Sequence, residues 1–244
     1  MIGGVAYRIE CPPVQATGYL IDADTAQQVS QGVREILEDS TGVQDALDAL
    51  SDIAKTDFEL DLLKELLQPP SSFEEWRVGE ALAEFHLTEH EGCVFPWPNS
   101  RSVRNPMSST GGVDLIGLVE RERAKFVLAE VKTSHQQRWP PSVVTSRSDG
   151  VCGQLVGLIA QDARLRAAIR YLMMNGSGRP WMAQVAAAVA TYVANKNDVV
   201  LFGVLVVLSN DVGHAADWGF ASECGVWPVM VVDVEPLGQG VAAG

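Results

Sequence analysis

Asp114, Glu130 and Lys132 are the residues of this chain whose types and spacing could do chemistry together. Phe126-Val-Leu-Ala-Glu-Val-Lys132 reads as a strand, with Phe126, Leu128, Glu130 and Lys132 alternating to one face and Val127, Ala129 and Val131 to the other. Both faces are apolar up to Glu130, the pattern of a central strand covered on both sides. A carboxylate and an ammonium at its end stand about 7 Å apart along the strand, and such charges need partners or a function. Val113–Val119 reads as a second strand. With a turn centred on Arg121–Ala124, pairing sets Asp114 opposite about Val131, between Glu130 and Lys132. Paired carboxylates with open positions suit Mg²⁺ or Mn²⁺, cations that prefer oxygen ligands and keep some of their waters. Such an ion polarises a phosphodiester and lowers the pKa of a bound water, which Lys132 would orient or activate. The plain alternative is a solvated ion pair at a strand end, since Glu-x-Lys arises by chance about once in a chain this long.

The elements that must position these residues follow from periodicity. After a short strand near Val5–Glu10, helical spacing runs from about Thr25 to Leu67, with Val29, Val33, Ile36, Leu37 and then Ala46, Leu47, Leu50, Ile53, and stops at Pro69-Pro70. Ser72 and Glu75 have capping-box spacing ahead of a helix from about Phe73 to His90, ending at Gly92. Two loops flank the strand pair. The first, Pro98 to Gly112, carries Arg101 and Arg104, and the second, Thr133 to Gly150, carries His135, Arg138 and Arg147. Helices over roughly Cys152–Met174 and Trp181–Asn195 follow, then apolar strands Val199–Leu208 and Pro228–Val234. This order predicts an α/β (α+β) fold, a mixed central sheet flanked by helices. The expected division is an acidic helical region over 1–68, a catalytic domain over 69–236 and a flexible tail over 237–244.

Gly111-Gly-Val-Asp114, a strand, then Ala129-Glu130-Val-Lys132 resembles the PD-(D/E)xK nuclease superfamily, with Gly where that motif has proline. The resemblance covers roughly Ser71 to Leu165, in the order helix, hairpin, helix. It implies a restriction-endonuclease-like core and metal-dependent cleavage of DNA phosphodiesters, with Asp114 and Glu130 as metal ligands and Lys132 as the catalytic lysine. Members often add a glutamate from the preceding helix, and Glu80 fits as a further metal ligand. Independently, Glu80 interrupts the apolar stripe Phe73, Trp76, Ala83, Leu87, where a carboxylate is costly unless paired; a salt bridge is the other reading. RecB-like members carry Gln-x-x-x-Tyr after the lysine; Gln154-Leu-Val-Gly-Leu158 has the Gln and ends in Leu. Gln154 is then a phosphate or water contact, or simply a polar residue near a helix start. Arg101, Arg104, Arg138 and Arg147 could contact phosphates, and Trp97 or Trp139 could stack on a base.

The net charge of −13 at first argues against a nucleic-acid partner. Its distribution changes that: residues 1–92 hold 5 Lys/Arg against 19 Asp/Glu, whereas residues 93–149 hold 8 against 5. The segment with the proposed site is the basic one. An acidic region upstream could dock a basic protein, occlude a nucleic-acid cleft or mimic DNA. Either a regulated nuclease or a catalytically silent, nuclease-like binding subunit follows. Nucleases of this family joined to a helicase or ATPase subunit occur in bacterial anti-phage systems, the Hachiman type among them, and this chain resembles such an effector. The rival motif is His86-Leu-Thr-Glu89-His90, the H-x-x-E-H pattern of a zinc peptidase, here in the last turns of its helix. No phosphate-binding G-x-x-x-x-G-K-[ST] loop or G-x-S-x-G elbow is present. Four scattered cysteines, no secretory signal and apolar runs of about ten residues, where a span needs about 18, lead us to expect a cytoplasmic chain with reduced thiols.

Overall fold

The computed structural model describes residues 4–11, 14–21, 23–97, 112–136, 141–146, 149–160, 162–207 and 229–233. These form strands β1 (Gly4–Cys11) and β2 (Val14–Leu20), then helices α1 (Ala23–Glu38), α2 (Ser40–Leu50), α3 (Asp57–Leu66) and α4 (Glu75–Glu91). Strands β3 (Cys93–Val94), β4 (Leu115–Glu120) and β5 (Ala124–Ser134) follow. Helices α5 (Ser142–Thr145), α6 (Val151–Ala160), α7 (Asp162–Gly176) and α8 (Met182–Ala194) lead to β6 (Val200–Val207) and β7 (Val229–Asp233). The fold is mixed α/β: one seven-stranded sheet in the order β1-β2-β7-β6-β5-β4-β3, with helices against it.

Alternation in β5 builds the three layers. Phe126 and Leu128 enter a core with Ile116, Leu118, Leu155, Leu158, Ile169 and Leu172, on the side of α6, α7 and α8. Val127, Ala129 and Val131 enter a second core with Val29, Val33, Leu37, Leu82 and Leu87, on the side of α1 and α4. The four residues Phe126 to Ala129 have no exposed surface, as a doubly covered central strand requires. Strand β5 is antiparallel to β4 and parallel to β6. The parallel step needs a crossover, which the helical segment from α5 to α8 supplies.

Three expectations shift. The division after residue 68 does not follow the sheet: β2 pairs in parallel with β7, and α1 shares a core with α4 and β5. Charge composition reports solvent-facing residues and carries no information on strand partners. Only α2 and α3 match the idea of an acidic helical appendage, since neither buries a residue. Helix α4 starts from Glu74 with no side-chain cap, so Ser72 and Glu75 are not a capping box; Thr56 and Glu59 form one at α3. The long helix expected over 152–174 is described as α6 and α7, with Gln161 outside the described residues. Gly92 caps α4 in the left-handed region (φ 64°), as expected. The expected tail over 237–244 lies outside the described residues.

Candidate active site

The β4–β5 ladder pairs Glu120 with Ala124 at one end and Leu115 with Ala129 at the other. The loop is therefore Arg121–Arg123, three residues, and the register continued one step sets Asp114 opposite Glu130 rather than Val131. Asp114 leaves the ladder there, and its carboxylate takes over the ladder's role: Oδ2 accepts a hydrogen bond from the Val131 amide at 2.8 Å. That bond fixes the carboxylate near Glu130, on which its charge acts. Glu130 is 2 % exposed. Its carboxyl is pushed up to about 8, first by burial and then by the Asp114 charge, while Lys132 and Arg164 pull the other way. On the parallel side β6 pairs Gly203, which has no side chain, with Glu130.

Arg164, from α7, is a member of the cluster that sequence reasoning missed. Its Nη2 donates to the Gly112 carbonyl and stands 3.5 Å from Glu130 Oε1. Gly112 is favoured there by its positive φ of 78°, and a Cβ would stand 3.1 Å from Arg164 Nε, so that side chain would have to shift by a few tenths of an ångström. The arginine thus ties the approach to Asp114 to the buried glutamate. The one sequence signal was an arginine in the first turn of a helix following the site. Gly203, a glycine inside an apolar strand, was a second signal of space beside the strand.

The other expected residues are spread more widely. Lys132 follows Glu130 on the same face, is half-buried and acts on Glu130 through its charge. Gln154 lies on α6 beside the core positions Val151, Leu155 and Leu158; its side-chain oxygen is enclosed with no hydrogen-bond partner among the described residues. An enclosed carbonyl without a donor is costly, and a water or ligand proton would satisfy it. Glu80 sits on α4, in the layer against the opposite face of β5. Gly79 lets that helix approach the end of β5 so closely that a Cβ would overlap the Thr133 hydroxyl. The buried carboxylate of α4 is Glu84, 8 % exposed, whereas Glu80 is half-buried and adds its charge to that of Glu84. Among the described residues no group of three or more His, Cys, Asp or Glu is placed to hold a metal ion, so Asp114 and Glu130 form a pair.

Arg101, Arg104, Arg138, Arg147 and Trp139 lie outside the described residues. Trp97 packs against the α6–α8 core, with the Arg179 guanidinium 5.4 Å from its ring centre. His135 pairs with Glu75. His86 and His90 stack with ring centres 4.3 Å apart, and Tyr19 lies 4.4 and 4.6 Å from them. Burial holds His86 down to about 3, and Glu89 of the same motif is exposed. No family model matches the chain, and no curated protein is detectably similar to it. No helix among the described residues is long and apolar enough to cross a membrane.

Proposed function

We propose that the chain is an Mg²⁺- or Mn²⁺-dependent deoxyribonuclease of the PD-(D/E)xK type, working in the cytoplasm. A protein partner would restrain or activate it, such as the helicase or ATPase subunit of a bacterial defence system. The observation that supports the reading most is that Asp114, held by the Val131 amide, sits across the hairpin from buried Glu130, with Lys132 next on the same face of the strand. Two carboxyls this close stay together only with a proton or a cation between them. Both are hard oxygen donors, the donor class that Mg²⁺ and Mn²⁺ take.

Asp114 and Glu130 would hold the ion. When bound, it supplies Lewis-acid polarisation of the phosphodiester and a water of lowered pKa. Val131 keeps Asp114 oriented through its amide, and Arg164 does the same for Glu130 through its guanidinium. The Lys132 ammonium would donate to the attacking water or to the charge developing on the phosphoryl oxygens, and the enclosed Gln154 Oε1 would accept a hydrogen bond from a bound water.

A second reading has its own observation. Arg164 already offers Glu130 a cation, so the cluster could be a structural ion pair in a catalytically silent, nuclease-like subunit. One assay separates the two. The purified chain, with and without a helicase partner, is incubated with plasmid, linear and single-stranded DNA and with RNA, in Mg²⁺ and in EDTA. The enzyme reading expects metal-dependent cleavage of DNA that Glu130→Ala and Lys132→Ala each lower about a hundredfold or more. Cleavage that both variants retain, or none under any of these conditions, would overturn it.

A further inference from the structure

Helix α3 is apolar on two sides. At about 100° per residue, Leu60, Leu63 and Leu67 fall together, and all three are half-buried. Phe58, Leu62 and Leu66 fall together on another side, where they are 78 %, 47 % and 72 % exposed. Ile53, in the turn before the helix, is 67 % exposed. An amphipathic surface helix needs only one apolar stripe. Phe58, Leu62 and Leu66 leave an apolar strip in water along one side of the helix, the kind of surface that marks an interaction site when it reaches about a few hundred Å². The helix that carries them is held at its start by the Thr56–Glu59 capping box, so the stripe is presented on a formed element.

The charges around the stripe say what covers it. Glu59 borders it on one side and Asp61 and Glu65 on the other, and residues 40–66 carry seven Asp/Glu against two Lys. A second copy of this chain would bring the same acidic rim and be repelled, and an anionic lipid surface would be repelled likewise. We infer that the Phe58–Leu62–Leu66 stripe of α3 is a docking surface for a partner protein that presents an amphipathic helix with an apolar stripe flanked by Lys and Arg. Apolar contact along the stripe would supply affinity, and the two charged rims would fix register and select the partner. The inference rests on the partner proposed above and not on the cleavage chemistry, so its test reads binding and needs no nuclease activity.

The test uses the full chain and two synthetic helical peptides of about 18 residues, with one leucine stripe in common. One has Lys on both flanks and the other Glu, and binding is followed by fluorescence anisotropy. The Lys-flanked peptide is expected to bind at least about tenfold tighter than the Glu-flanked one and to weaken with added salt. Phe58→Ser/Leu62→Ser/Leu66→Ser should abolish that binding and leave the melting temperature within a few degrees, because none of the three is buried. Asp61→Lys/Glu65→Lys should shift preference toward the Glu-flanked peptide. Four outcomes overturn the inference. They are binding of neither peptide, tight binding to phosphatidylglycerol vesicles in its place, a dimer in sedimentation that the triple variant dissolves, or collapse of the triple variant's melting temperature, which would mean that the chain covers the stripe itself.

Discussion

Arg164 reaches the Gly112 carbonyl with the same nitrogen that faces Glu130. Its contribution to the proposed reaction is positional, since it holds the carboxylates without touching a reacting atom. Removing such an outer partner of a metal ligand costs about 10–100-fold in metal affinity or activity. Arg164→Ala should therefore raise the Mg²⁺ concentration needed for half-maximal DNA cleavage by about that factor, with cleavage at saturating Mg²⁺ less affected. Arg164→Lys keeps the charge but loses the planar fork, so it should recover only part of the loss. A uniform fall in rate at every Mg²⁺ concentration would point to general damage instead. Gly112 offers the companion experiment. Gly112→Ala meets both the positive φ and the arginine, and should reproduce the Arg164→Ala shift together with lower stability. Sequence alone could not reach Arg164, because the contact spans 34 residues and depends on how α7 crosses the sheet.

Close approach also governs how α1 meets α4. Gly32 faces the edge of the Phe85 ring, and a Cβ there would overlap three of its carbons. Gly32→Ala should cost about 1–3 kcal/mol in urea unfolding despite the helix propensity that alanine adds. In a Phe85→Leu background the penalty should shrink or reverse sign; an equal penalty in both backgrounds would mean that the ring is not what limits the packing. This interface explains why some of the fold was legible and some was not. The period of two in Phe126–Lys132 identified β5 and both of its faces, and the helical period with Gly92 identified α4 to within two residues. Both signals are local, written in one segment. The pairing of β2 with β7 and the loss of the Ser72–Glu75 cap depend on where distant chain segments lie, which no local pattern encodes. The site divides the same way. The hairpin made Asp114, Glu130 and Lys132 readable together to within one step of register. The stripe position of Glu80 was equally readable, yet burial falls on Glu84, because α4 is packed against α1 as well as against the sheet.

Buried ionisable groups outside the candidate site make the stability of the whole chain depend on pH in a definite direction. Glu84 is raised from 4.5 to about 8, by burial first and then by the charges of Asp39 and Glu80. His86 is lowered from 6.5 to about 3, by burial first and then by His90. Between about pH 4.5 and 8 the folded chain holds a proton on Glu84 that the unfolded chain has lost, so stability falls as pH rises through that window. Between about 3 and 6.5 the unfolded chain holds a proton on His86 that the folded chain lacks, so there stability rises with pH. From about 4.5 to 6.5 the His86 slope opposes that of Glu84, while Glu130, raised over the same window as Glu84, adds to the fall throughout; above 6.5 only the falling slopes remain. Urea unfolding without metal should thus show a stability maximum on the acid side of neutrality and a loss on the order of 1–2 kcal/mol per buried carboxyl from pH 6.5 to 8. Glu84→Gln has no proton to lose, so it should remove its share of that fall and exceed the parent in stability at pH 8. His86→Phe should flatten the acid limb and leave the alkaline one unchanged. If Glu84→Gln kept the parent's full slope between pH 6.5 and 8, the buried carboxyl of α4 would not be the group that sets it.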